Sequence, residues 1–468
     1  MTDNINNIPF DSINFFNQNK QATKGKIQNM IETMLDYKKI LAGQGTRVNL
    51  AFTINAPNVE SRKRRPVAFG VCLDRSGSME GKPFENALEA CCGVIRNLGR
   101  EDYFSLTAFD HQTREVISPG KIEDKESAIR KIRALHVGGA TNLGGGWCLS
   151  RDSLKYAPSD MPRRILLLSD GVANHGIFDM PSLISMAESG LENEGIRTSC
   201  LGFGDHYNED LLTEMSNRSS GNFYDVENAD KLPAVFDAEL DGVLKISVQN
   251  LRIRVKREDF CERWKNLPEF KGNRLPDGRI ELMIGDLISE ELRSFALGAK
   301  VLPIPLGADG SQIASLEGEK LLSLEFLYDL VEKERIVSKK EQRLIRIQAT
   351  QDPSEVSINE SVLPIVTSQK TGRIMKKAIA LLDHNRFEDA IQNLNRMLGE
   401  LESLGRPELV HDSLTAIRSI IRNVEKGWHG TRGRKSASYS SRSLRRRSSK
   451  EYWSGDEANR PSFKDEQR

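Results

Sequence analysis

From about residue 64 to residue 226, short runs that are apolar at nearly every position alternate with amphipathic stretches: PVAFGVCLD, PFENALEACCGVIRNLG, DYFSLTAF, a helical stretch at 125–135, RRILLLSDG and RTSCLGFG. A strand that is apolar throughout is buried on both faces, so this alternation predicts an α/β unit whose mostly parallel sheet is covered by helices on both sides. From about residue 247 the period changes to two, in LRIRV (Leu251, Ile253, Val255), LLSLEFLY (Leu322, Leu324, Phe326, Tyr328) and IRIQA (Ile345, Ile347, Ala349). Such strands are half-buried and antiparallel, most simply in a β-sandwich. RVNLAFTINA at 47–56 has the same character and precedes the α/β unit. The expected fold is therefore α/β, a doubly wound, mostly parallel sheet inserted in a β-sandwich. Between 371 and 426 the period is helical again, with Ala378, Leu381, Leu382, Phe387, Ala390, Ile391, Leu394 and Leu398 predicted to form one buried stripe. Residues 430–449 are rich in Ser and Arg and hold no acid, a composition that predicts a disordered tail.

These patterns divide the chain into an N-terminal helical or flexible segment (1–45), a first sandwich strand with linker (46–63), the α/β domain (64–246), the β-sandwich (247–365), a helical segment (366–428) and the Ser/Arg-rich tail (429–468). Length and composition agree with several packed domains, at 468 residues, 38% hydrophobic and 6% aromatic. Lys+Arg 67 against Asp+Glu 66 leaves a formal charge of +1, so no global field recruits nucleic acid or an anionic membrane. No long apolar run predicts a membrane span, and the opening MTDNINNIPFDSINFF lacks the features of a secretory leader, which predicts a cytoplasmic protein. The six cysteines include no CxxC and read as reduced core residues, and the seven histidines show no HExxH or HxxxH pair for zinc.

Chemistry concentrates where apolar strands end. The strand at 66–73 runs into Asp74-Arg75-Ser76-Gly77-Ser78, which puts a carboxylate and two hydroxyls in the turn before the next helix. Thr141 lies in HVGGATNLGGG ahead of another helix, and Asp170 ends RRILLLSD. The carboxyl ends of parallel strands are where open α/β sheets bind ligands, so all five oxygens can gather on one rim. Two carboxylates and three neutral hydroxyls suit a hard divalent cation, Mg2+ or Mn2+, and leave a coordination position for an acidic side chain from a partner. The competing structural reading has Ser76 and Ser78 as helix caps and Asp74 and Asp170 as turn residues.

These residues resemble the von Willebrand factor type A domain, whose metal-ion-dependent adhesion site follows the pattern DxSxS, then Thr, then Asp. Here the pattern is complete in Asp74, Ser76, Ser78, Thr141 and Asp170. GGATNLGGG, LLLSDGVANHG, GFGDHYNEDLL and GNFYDVENADKL are similar to the bacterial branch of that family. The likeness covers about residues 66–246 and extends into the sandwich through IGDLISEELR at 284–293, a layout similar to inter-alpha-trypsin-inhibitor heavy-chain-like and calcium-activated chloride channel-like proteins. The resemblance implies a six-stranded sheet with one short antiparallel edge, for which EVISP at 115–119 is the candidate. It also implies Mg2+ or Mn2+ bridging to a partner carboxylate, with Asp74, Ser76 and Ser78 touching the ion, Thr141 joining when ligand is bound, and Asp170 acting directly or through water. An extracellular or channel role does not carry over to a sequence read as cytoplasmic. Similar bacterial proteins imply a non-enzymatic scaffold within a multi-component system, beside a kinase or phosphatase for example.

Two other function classes compete. Mg2+-dependent phosphoester hydrolases and phosphotransferases resemble DxDx[TV], whereas position 76 is Ser and no lysine is placed for phosphate. The glycine-rich stretch at 138–146 lacks GxxxxGK[ST], and GxSxG is not matched around Ser76. The basic tail could hold nucleic acid or an acidic protein, although its aromatics are few: Tyr439, then Tyr452 and Trp453. Phosphorylation of Ser448 or Ser449 beside Arg445–Arg447 would reverse the local field there.

Overall fold

The computed structural model describes residues 30–58, 65–204, 206–226, 228–268, 270–305, 317–332, 335–426 and 431–446. In chain order, β1 (Ile31–Leu35), β2 (Lys39–Leu41) and β3 (Thr46–Asn55) precede an α/β unit. That unit comprises β4 (Ala68–Asp74), α1 (Lys82–Asn97), β5 (Tyr103–Phe109), β6 (Thr113–Lys121), α2 (Lys125–Arg133), α3 (Leu143–Leu154), β7 (Arg163–Ser169), α4 (Met180–Glu194), β8 (Ile196–Phe203), α5 (Glu209–Arg218), β9 (Phe223–Val226) and α6 (Leu232–Leu244). Seven strands follow: β10 (Ile246–Arg257), β11 (Cys261–Asn266), β12 (Gly272–Arg274), β13 (Ile280–Ile288), β14 (Leu292–Val301), β15 (Glu319–Glu332) and β16 (Arg335–Thr350). The last elements are α7 (Leu363–Asp383), α8 (Phe387–Ser403), α9 (His411–Glu425) and α10 (Thr431–Arg446).

The α/β unit is a six-stranded sheet of order β6-β5-β4-β7-β8-β9. All pairs are parallel except β5 with β6, so the segment holding EVISP is the antiparallel edge that the family resemblance implied. Every residue of β4 is buried, as its unbroken apolar run requires. Alternate residues face opposite cores. Phe69, Val71 and Leu73 pack with Phe84, Ile95, Ile132 and Phe236 from α1, α2 and α6, whereas Ala68 and Cys72 pack with Trp147, Leu183 and Leu211 from α3, α4 and α5. The chain leaves β4 toward β5 and later returns to β7 on its other side, which opens a crevice at the carboxyl ends of these strands.

β3 precedes this unit and β10 follows it, and both belong to a sandwich of a four-stranded sheet (β1-β3-β14-β11) on a six-stranded one (β12-β13-β10-β15-β16-β2). The α/β unit is thus inserted in the sandwich, as expected. Phe52 stacks on Phe295 at 4.7 Å between centroids and meets Phe326 edge-on at 6.0 Å, so the two sheets share one aromatic core.

Four local expectations need correction. Residues 31–41, expected to be helical or flexible, form β1 and β2: β1 pairs antiparallel with β3 and β2 runs parallel to β16. Short apolar runs carry no decisive period, and pairing with Ile31 and Ile40 buried in the sandwich decides the state. The helical segment starts at Leu363 rather than 366, with Pro364 in the first turn, and Gln369 satisfies β14 by accepting from Ala296 N at 2.8 Å and donating to Ser294 O at 3.2 Å. Phe387 leaves the predicted stripe because the chain turns at Asn385, whose φ is 57°, and Phe387 is 38% exposed. Residues 431–446, expected to be disordered, form α10 against α7, where Ser441 Oγ donates to Gly372 O at 2.7 Å. Residues 1–29 and 447–468, with Ser448, Ser449, Tyr452 and Trp453, lie outside the described residues. Among the described residues no helix is long and apolar enough to cross a membrane.

Candidate metal centre on the sheet rim

Four of the five predicted residues are joined by hydrogen bonds, and the fifth lies beside them. Asp74 ends β4 with its side chain sealed from solvent, and its Oδ1 accepts from Ser76 N at 2.8 Å. Ser76 Oγ lies 3.2 Å from Ser78 Oγ, and Ser78 Oγ donates to Asp170 Oδ1 at 2.7 Å. Thr141 is 4% exposed in the loop before α3. A methyl group on Gly171 would sit 3.5 Å from Ser78 Oγ and 3.6 Å from Thr141 Oγ1, which places both hydroxyls around one small space.

Three residues outside the predicted set hold this arrangement. Ser169 Oγ donates to Asp74 Oδ2 at 2.7 Å, so both Asp74 oxygens carry a donor. Asn174 Oδ1 accepts from Thr141 N at 2.8 Å, and the Asn174 and His175 amides donate back to Thr141 O at 3.1 and 3.3 Å. Asp110, 1% exposed, follows β5 and binds Arg75 at 3.0 Å across the rim, while Gly138 N donates to Arg75 O at 2.6 Å. The glycines at 138–146 let this loop pack closely against its neighbours. A methyl group on Gly138 would sit 1.7 Å from Asp110 Oδ2, and those on Gly144 and Gly146 would strike Ile177 and Phe109. Asp110 had a signal, since it too is an acid directly after a core strand; Ser169 acts through the pairing of β7 with β4 and Asn174 through loop geometry, neither of which spacing encodes.

Burial raises the Asp74 carboxyl to about 6, against hydrogen bonds from Ser169 and Ser76 that hold it down. Burial also raises Asp170, with Ser78 and, more weakly, His206 pulling it back. Two desolvated carboxylates flanked by hydroxyl oxygens fit a hard divalent cation, which would offset the desolvation that raises them. Among the described residues no three His, Cys, Asp or Glu side chains gather as a metal cluster, so any ion here would rely on Ser and Thr oxygens. The cysteines are free; Cys72, Cys91, Cys92, Cys200 and Cys261 are buried and Cys148 half-buried, as core residues are.

Residues 70–238 match the model of the von Willebrand factor type A domain. The uncharacterized protein sll0103 of Synechocystis sp. is 26% identical over 224 residues, 48% of this chain and 53% of that protein. Inter alpha-trypsin inhibitor, heavy chain 4, of Mus musculus is 27% identical over 158 residues, 32% of this chain and 17% of that protein. The chain thus spans about half the length of the first relative and under a fifth of the second. Two solved structures share the wider architecture. The von Willebrand factor type A protein from Catenulispora acidiphila has a TM-score of 0.63 at 15% identity over 85% of this chain and 91% of that one. The ArnB paralog VWA2 from Sulfolobus acidocaldarius has a TM-score of 0.56 at 14% identity over 90% and 99%. At these identities the likeness concerns the fold, which includes the sandwich as well as the sheet. The chain therefore contains a von Willebrand factor type A domain, carried on the sheet that bears the five oxygens.

Proposed function

We propose that this chain is a metal-dependent protein-binding module acting as a cytoplasmic scaffold. Asp74, Ser76, Ser78, Thr141 and Asp170 would hold Mg2+ or Mn2+, and an Asp or Glu side chain of a partner would complete the coordination. The observation that carries this reading is the hydrogen-bonded run Asp74–Ser76–Ser78–Asp170, with Thr141 Oγ1 beside it, on the crevice rim of the sheet. The bound ion would supply positive charge for a partner carboxylate. The chain's own residues position the site: Ser169 orients Asp74, and Asn174 fixes the Thr141 loop. Binding rather than turnover is favoured because the set has only two carboxylates and neither a lysine nor a histidine among its members. A kinase or phosphatase would be a partner of the assembly, not an activity of this chain.

Titration calorimetry with MnCl2 tests the reading. Wild type is expected to bind one equivalent and Asp74→Ala none, while both remain folded by circular dichroism. Equal binding by the two proteins would refute the assignment.

A further inference from the structure

Large apolar side chains that are well exposed are few among the described residues. Three of the nine, Val172, Ile177 and Phe178, lie within seven residues of the loop after Asp170, at 53%, 46% and 59% exposure. That loop is firmly held. Asn174 and His175 exchange three hydrogen bonds with Thr141, and Ala173 is buried at 5% between its exposed neighbours. Gly176, at φ 66°, lies so close to Asn142 that a methyl group would come within 2.4 Å of its Oδ1, and the Ile177 carbonyl presses on Gly144 at the start of α3. A fastened loop that holds apolar side chains out of the core marks a contact surface, since such residues would otherwise gain by burial.

The position of this crest says what it contacts. Val172 is two residues from Asp170, a backbone span of at most ~7 Å. The Ile177 carbonyl lies against Gly144, three residues after Thr141, so a partner whose carboxylate reaches the proposed ion passes its adjoining residues along the crest. Four exposed histidines, His111, His136, His175 and His206, stand on the loops around the rim together with exposed Glu80 and Asp179, so the proposed ion rather than a basic field would draw the partner's acid. We infer that the crest receives a large apolar side chain next to the metal-seeking carboxylate, so that the partner is a protein segment in which Asp or Glu lies within two residues of Leu, Ile, Phe or Trp. This inference rests on the metal-dependent binding reading above.

The test uses the full chain and a phage-displayed library of random seven-residue peptides, panned in MgCl2 and eluted with EDTA. Wild type is expected to yield EDTA-eluted clones with an acid and a large apolar residue within two positions. The double variant Ile177→Ser/Phe178→Ser replaces exposed side chains and should fold as wild type does by circular dichroism. It should bind those clones about tenfold more weakly, the scale of one lost apolar contact, while synthetic versions of the same peptides with Ser in place of the apolar residue bind both proteins alike. EDTA-eluted clones that lack an apolar neighbour, or equal binding of the selected clones by the variant, would overturn the crest while leaving the metal site standing. Self-association of wild type that the variant abolishes would also overturn it, by assigning the crest to a second copy. If MnCl2 fails to raise the melting temperature of wild type and EDTA elutes no clone, the metal reading itself falls and takes this one with it.

Discussion

Asp74 is fully buried, and burial moves its carboxyl from the ordinary 3.8 to about 6. Between those two values the folded chain keeps a proton that the unfolded chain releases, so stability falls as pH rises through the window. Above pH 6 the ionised group opposes folding of the metal-free protein by about 3 kcal/mol. Asp74→Asn is therefore expected to stabilise the chain in EDTA at pH 7 by up to about 2 kcal/mol and to flatten the dependence between pH 4 and 6, while abolishing the response to metal. Urea unfolding across that pH range checks this; a wild-type slope that survives in the variant would contradict it. A site residue that weakens the empty fold is the expected signature of a group kept for binding.

At the scale of elements, α10 shows what composition cannot reveal. Its basic residues find partners elsewhere in the fold: Arg434 meets Glu209 at 3.2 Å, Asp210 at 2.8 Å and Asp383 at 2.8 Å, and Lys435 lies 3.4 Å over the Tyr207 ring while donating to Gly204 O at 3.1 Å. Glu209 is 6% exposed, and burial lifts its carboxyl to about 8 against the pull of Arg434. Arg434→Ala removes the ion pairs to Asp210 and Asp383 and is expected to weaken docking of α10 by roughly 1 kcal/mol, with high salt acting in the same direction. Faster tryptic cleavage within residues 431–446 would report it, whereas an unchanged rate would show that the apolar contacts of α10 suffice. The core strands of the type A domain were legible because two-sided burial leaves an unbroken apolar run, as in β4, and the site was legible because its oxygens follow such runs. β1, β2 and α10 were not, since each takes its state from a distant partner: β3, β16, and α7 with α5. Ser169 and Asn174 escaped for a related reason, as their hydrogen bonds join positions 95 and 33 residues apart in sequence.

The whole molecule joins its inserted α/β domain to the sandwich through more than the chain crossings at β3 and β10. Arg197 at the start of β8 meets Asp286 of β13 at 2.6 Å, with both side chains 9% exposed, and donates to Asn250 Oδ1 at 3.0 Å. Removing one partner of a buried pair leaves the other charge uncompensated, so Arg197→Ala is expected to cost about 3 kcal/mol. In a double-mutant cycle with Asp286→Ala the two losses should fall short of additivity by at least about 1 kcal/mol. Additive losses would mean that the pair does not couple the domains.

The central claim is that the five oxygens bind a divalent ion, and a ligand that binds only the folded state must stabilise it. The most direct test is the melting temperature of wild type and Asp74→Ala in EDTA, in MgCl2 and in MnCl2. At an ion concentration one hundred times its dissociation constant, wild type should gain about 2.7 kcal/mol, a shift of several degrees, and Asp74→Ala should gain nothing. Identical curves for wild type in EDTA and in either metal would contradict the account and leave Ser76, Ser78, Thr141 and the two acids as structural residues of the rim.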